Sequence, residues 1–148
     1  MARLRGGDKL EAYLRDVARK VSKPGKARIG FLESATYPDG TPVAQIAAIQ
    51  NFGSPAQGIP PRPFFTNMIR EHEGEWPEQI GKVLKAVDMD APKALEQMGQ
   101  LIAGELRESI VDTNAPPLSP ITIARKGSSK PLVDSGVMLQ SVDSEVEE

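Results

Sequence analysis

Apolar positions set out most of this chain before any other property is considered. Leu10, Tyr13, Leu14, Val17, Ala18 and Val21 recur at three- and four-residue spacing, with Arg15, Arg19 and Lys20 on the other face. That spacing predicts an amphipathic first helix. Asp8 is placed to cap it, Gly6-Gly7 closes a flexible lead (residues 1–7), and Pro24-Gly25 stops it. From Lys26 to Ser34 the pattern changes to partial alternation, with Ala27, Ile29 and Phe31 on one side, and predicts a strand. Tyr37 to Thr41 reads as a turn or hairpin tip.

Thr41 as cap and Pro42 at the first helical position open a second helix, which Val43, Ile46, Ala47, Ile49 and Gln50 carry to Gly53. A third helix is predicted from near Pro63 to about His72. Gly74 and Pro77 interrupt it before Trp76, Ile80, Val83, Leu84 and Val87 resume the period. Asp90 and Pro92 open the longest helix, with Leu95, Met98, Ile102, Leu106 and Ile110 on one stripe. Ala94, Gly99, Ala103 and Gly104 keep part of its surface small, so another helix is expected to approach closely there. Asn114 to Pro117 ends it. Ser119-Pro120 starts a short helix through Arg125, Gly127 to Lys130 is a flexible turn, and Asp134 caps a last helical turn, 136–142. The acidic tail, residues 143–148, is placed to form a final edge strand. The expectation is a single α+β domain over 1–148: a small antiparallel sheet packed against several helices, one of them long and central.

Composition narrows what such a domain can do. The 148 residues include 13 Pro and 13 Gly, with 39% hydrophobic and 5% aromatic residues. The core is therefore expected to be modest and built from Leu, Ile, Val, Ala and Met, with some stability supplied by neighbouring subunits. The absence of cysteine excludes disulfides, thiolate metal sites and cysteine nucleophiles. No apolar run approaches the ~18 residues of a membrane span, and MARLRGGDKLEAY lacks the apolar stretch of a secretory signal. A protein made in the cytoplasm, without a membrane partner, is expected. The net charge of −2 conceals an uneven distribution, with basic residues gathered in 1–28 and acids in 134–148. Such ends are solvated, contact nucleic acid, or meet across the interfaces of a ring.

Candidate chemistry is sparse. His72 is the one histidine, and HExxH is absent because position 76 is Trp. Glu71, Glu73 and Glu75 lie near it but point apart on a helix, so a charged, solvated helix end is the expected reading. No G-x-S-x-G elbow presents a serine. Lys126-Gly-Ser-Ser-Lys130 lacks the upstream glycine and G-K-[ST] order of a phosphate loop and reads as a turn. Glu105 and Glu108, one turn apart, read as a solvated face. No catalytic, cofactor or metal residue is assigned. Arg15, Arg19 and Lys20 are candidate DNA-backbone contacts, sequence-independent and salt-sensitive, because no aromatic interleaves to stack on bases. A small DNA-binding accessory protein using this basic helix is the alternative function.

The most informative stretch is VAQIAAIQNFGSPAQGIPPRPFF, from Val43 to Phe65. Prolines 55, 60, 61 and 63 fix φ, remove donors and stiffen the segment around Arg62. The stiffness suggests a rigid surface for presentation. Arg62 is either held for bidentate contact with a carboxylate or lies with its stem on Phe64.

Two segments resemble tailed-bacteriophage neck and tail-completion proteins, including the virion-morphogenesis proteins of Mu-like phages. The first is Ala48-Ile-Gln-Asn-Phe-Gly53 followed by Ile59-Pro-Pro-Arg-Pro-Phe64, similar to that family's x-N/H-x-F-G helix end and I-P-x-R-P-F loop. The second runs from Pro117-Leu-Ser-Pro-Ile-Thr through Lys126-Gly-Ser128, Pro131-Leu-Val-Asp-Ser-Gly136 and Leu139-Gln-Ser-Val142. It looks like the family's P-L-x-x-x-T-x-x-x-K-G-S, P-L-x-D-T-G and L-x-x-S-I pattern. The resemblance implies a non-catalytic ring subunit at the head–tail junction of a virion, hexameric by expectation and dodecameric as the alternative. Its implied partners are the connector on the portal side and tail-tube proteins, with non-specific contact to DNA in the channel. Carried over by position, Asn51, Phe52, Gly53, Pro61, Arg62, Pro63 and Phe64 form one interface element. Thr122, Lys126, Gly127, Leu132, Asp134 and Gly136 form the other. Phe52 is expected to anchor the helix end in the core beside a left-handed Gly53. Some relatives continue past the position of Val142 into further strands and a second F-G motif, so the resemblance does not specify which ring.

Overall fold

The computed structural model describes residues 6–23, 25–113 and 136–147. In chain order its elements are α1 (Gly7–Val21), β1 (Lys26–Phe31), α2 (Val43–Phe52), a 3-10 turn (Pro55–Gln57), α3 (Phe64–His72), α4 (Trp76–Ala86), α5 (Ala91–Asp112), α6 (Val137–Gln140) and β2 (Val142–Glu147). The fold is α+β, with α5 as the long central helix. Asp90 caps α5 by accepting from the Lys93 amide at 3.2 Å, and Pro92 occupies its first turn, where no intrahelical donor is lost.

β1 and β2 pair antiparallel, with Lys26 opposite Glu147 and Phe31 opposite Val142. The ladder continues at Leu32, whose amide donates to the Ser141 carbonyl at 2.8 Å. One face of this ribbon, carrying Ala27, Ile29, Phe31, Val142, Ser144 and Val146, turns toward α5; the other is charged. Among the small residues of α5, Gly99 admits this sheet closely, while α3 and α4 also pack on α5. A Cβ on Gly99 would sit 3.0 Å from both Cβ and Oγ of Ser144. Arg107 completes the attachment by donating Nη2 to the Val142 carbonyl at 2.7 Å.

Between the sheet and the helices lies a core of Val43, Ala47, Phe64, Met68, Ala103, Leu106, Ile110, Met138 and Val142. Phe64 is its largest fully buried side chain and meets Phe31 edge-on, ring centroids 6.3 Å apart at 77°. Burying an aromatic or aliphatic side chain of this size stabilises by about 1.5–3 kcal/mol, so a few such residues carry much of a small core.

Several boundaries differ from expectation for local reasons. β1 ends at Phe31, because the chain turns at Leu32 to close a bond with Ala35. Pro42 is the cap position of α2, which begins at Val43 without a side-chain cap. α1 is preceded by Gly6 at φ 99°, and Asp8 lies in its first turn, where its charge complements the helix dipole without capping. The Tyr37–Thr41 turn forms as expected, closed by Tyr37 N–H to Thr41 O at 2.9 Å. The predicted Ser119–Arg125 helix and Gly127–Lys130 turn lie outside the described residues. Gly99→Val is expected to destabilise the fold by ~1–3 kcal/mol, since overpacking forces α5 and β2 apart; urea denaturation followed by circular dichroism measures it.

Candidate interaction surface

The segment between α2 and α3 folds back on the helix it leaves. Gly53 ends α2 at φ 75°, ψ 173°, a combination reserved for glycine and distinct from the left-handed helical region expected there. A Cβ here would lie 2.8 Å from the Pro61 nitrogen, so the returning prolines also require its absence. Ser54 and Ile59 exchange backbone bonds of 2.8 and 3.0 Å across the 3-10 turn. The Arg62 amide then reaches the Gln50 carbonyl, an unpaired group of the α2 terminus, at 2.7 Å.

Asn51 joins the two helices. Its Oδ1 accepts from the Phe65 amide at 3.0 Å and the Thr66 amide at 3.2 Å. Its Nδ2 donates to Thr66 Oγ1 at 3.0 Å. The N-terminus of α3 has no side-chain cap of its own, so α2 supplies one from outside. Ser109 Oγ ties α5 to the same point by donating to the Phe64 carbonyl at 2.7 Å.

These contacts correct the expected display of the loop. Arg62 is only 7% exposed and donates Nη1 to Gln50 Oε1 at 3.3 Å; burial pulls its guanidinium below the ordinary arginine value. Asn51 and Phe64 are buried as well. These three candidate interface residues face inward and brace the segment, leaving Pro61 exposed and Pro63 partly so. Phe52 is the opposite correction: it does not anchor in the core but stands 75% exposed. Lys126 and Asp134, with Thr122, Gly127 and Leu132, lie outside the described residues.

Beside Phe52 runs an apolar groove of about 350 Å³ between α2 and α3, lined by Ala44, Ala48, Phe52, Phe65 and Ile69 among others. α2 carries no charged residue on any face, a composition usual for a helix covered all round. The second exposed apolar surface is α1. None of its residues is buried, and Leu10, Tyr13 and Leu14 are each more than half exposed.

The candidate DNA contacts sit on α1 among acids. Arg15 pairs with Glu11, Arg19 with Asp16, and Lys20 with Asp16 at 3.2 Å and Asp88 at 3.0 Å. Bonds from Lys20 and then Arg19 hold the Asp16 carboxyl below the usual range, and bonds to Asp88 and then Asp16 raise Lys20. Asp88 and Met89 take positive φ, 54° and 61°, in the α4–α5 turn; the Met89 amide closes that turn on the Leu84 carbonyl at 2.7 Å. Lys20 thus ties α1 to this corner. In the Tyr37–Thr41 turn, the Thr41 amide lowers Asp39 in the same manner.

Glu105 is not a solvated helix residue. Trp76 Nε1 donates to it at 2.9 Å and His72 Nδ1 lies 3.5 Å away. With Glu71, Glu108 and Asp112, Glu105 and His72 line an open groove of about 660 Å³. Among the described residues, no group of three or more His, Asp or Glu is arranged to hold a metal ion, and no helix is long and apolar enough to cross a membrane.

Sequence reasoning missed the groove, although the absence of charge from Val43 to Phe52 was a readable signal of it. Comparison of the chain with protein-family models, curated proteins and solved structures finds no match. Asn51→Ala leaves the Phe65 and Thr66 amides without their acceptor and is expected to cost ~1–3 kcal/mol. Asn51→Asp, which keeps Oδ1, is expected to lose less, by equilibrium unfolding in urea.

Proposed function

We propose that the chain is a structural subunit of the head–tail junction in a tailed phage or prophage, assembling as a neck or tail-completion ring around the DNA channel. The observation that carries this reading is the Asn51–Phe64 segment. The residues that resemble the family's loop brace α2 against α3 through buried hydrogen bonds. They leave an uncharged helix face and Phe52 turned outward. Rigid backbone under an uncovered apolar surface suits a protein whose work is to be joined to others. The connector and tail-tube proteins are the partners this role calls for, with non-specific contact to DNA in the channel.

Deleting the gene from its phage or prophage is expected to yield filled heads and separate tails by electron microscopy. Adding purified protein to that lysate is expected to restore joined, infectious particles. Normal virions from the deletion would refute the role.

A further inference from the structure

We propose that α1 of one copy of this chain lies in the α2–α3 groove of a second copy, so that each subunit gives a helix to one neighbour and receives one from the other. This deepens the ring reading and rests on it for closure.

The two surfaces match in form and chemistry. α1 offers a convex apolar stripe of Leu10, Tyr13, Leu14, Val17 and Val21, and none of its residues is buried in its own chain. The groove is concave, charge-free along α2, and edged by Ala44 and Ala48, whose small side chains let a helix axis approach. An amphipathic helix seated by such anchors is a recurrent mode of recognition.

Their placement makes the contact head-to-tail. α1 is tied at its C-terminal end to the α4–α5 corner by Lys20 and Asp88, and Gly25 beyond it lies against Leu95 near the start of α5. The groove belongs to the other end, where Phe64 bonds Ser109. From Leu95 to Ser109 along α5 is about 20 Å at the helical rise of ~1.5 Å per residue. Two different patches at opposite ends of a subunit give a heterologous interface, which closes into a ring when the rotation permits.

Charge sets the direction. The C-terminal part of α1 and the turn after it carry Arg15, Arg19, Lys20 and Lys23; Glu11, Asp16 and Asp88 pair with the first three, so the excess positive charge that remains lies toward Lys23. The corner beyond Ile69, at the end of the groove away from Phe52, carries Glu71, Glu73 and Glu75 against Arg70. Complementary fields favour Leu10 and Leu14 beside Phe52 and Phe65, with Val21 toward Ile69.

The test uses full chains with Leu14→Glu or Phe52→Glu, both exposed positions where folding is preserved, as circular dichroism will verify. Light scattering coupled to size exclusion should show wild type as an oligomer and each variant as a monomer, with apparent affinity lowered ~10-fold or more. An equimolar mixture has one intact pair of faces and should form a dimer. Wild type that stays monomeric up to ~100 µM, a variant that assembles like wild type, or a mixture that stays monomeric overturns the docking. A monomeric wild type that still joins heads to tails would sink the docking alone. A chain that assembles through these faces yet is dispensable for joining would sink the functional reading alone.

Discussion

The close approach of the β1–β2 ribbon to α5 is the constraint on which the fold depends. A two-stranded antiparallel pair is marginal in water unless something covers one face. Here the cover is a helix whose surface is kept low at Ala94, Gly99 and Ala103, all of them buried. Because Gly99 has no side chain, Ser144 and Ala27 can settle against the helix backbone. Phe31 and Val142 at the far end of the ribbon then reach the same core as Phe64, Leu106 and Ile110. Sheet, long helix and loop are thereby parts of one packing unit.

Charge follows the same geometry. The basic and acidic stretches of the sequence touch within one chain where β1 pairs with β2. Arg28 lies 3.0 Å from Glu147, and Lys26 lies 3.8 Å from the same residue. These pairs are exposed, where an ion pair contributes little; their use is to fix register, since a one-residue slip would carry the charges into the face against α5. On α1 the positive residues are likewise offset by neighbouring acids, so the helix presents its apolar stripe more strongly than its charge.

The Val43–Phe65 segment shows why a rigid, proline-rich loop is read wrongly as a display. Its prolines do stiffen it, but stiffness serves to return the chain over the open end of α2. Gln50 and Asn51, in the last turn of that helix, receive the returning backbone. Arg62 is drawn inward because its amide and guanidinium both find acceptors on Gln50. Once Asn51 and Arg62 are committed below, Phe52 has only the outer side of the helix left.

Spacing and capping chemistry by themselves determined the elements: the long helix with its Asp90 cap, the amphipathic α1, the glycine end of α2 and the strand formed by the acidic tail. Each rests on residues a turn or a pleat apart, and such contacts are local. Tertiary structure alone decided that the sheet settles against α5 at Gly99, that Arg62 and Asn51 point inward, and that Phe52 points out. A side chain's period gives its face, but burial depends on which distant segment arrives to cover that face. For Arg62 that segment is the end of α2, where Gln50 accepts from both its amide and its guanidinium.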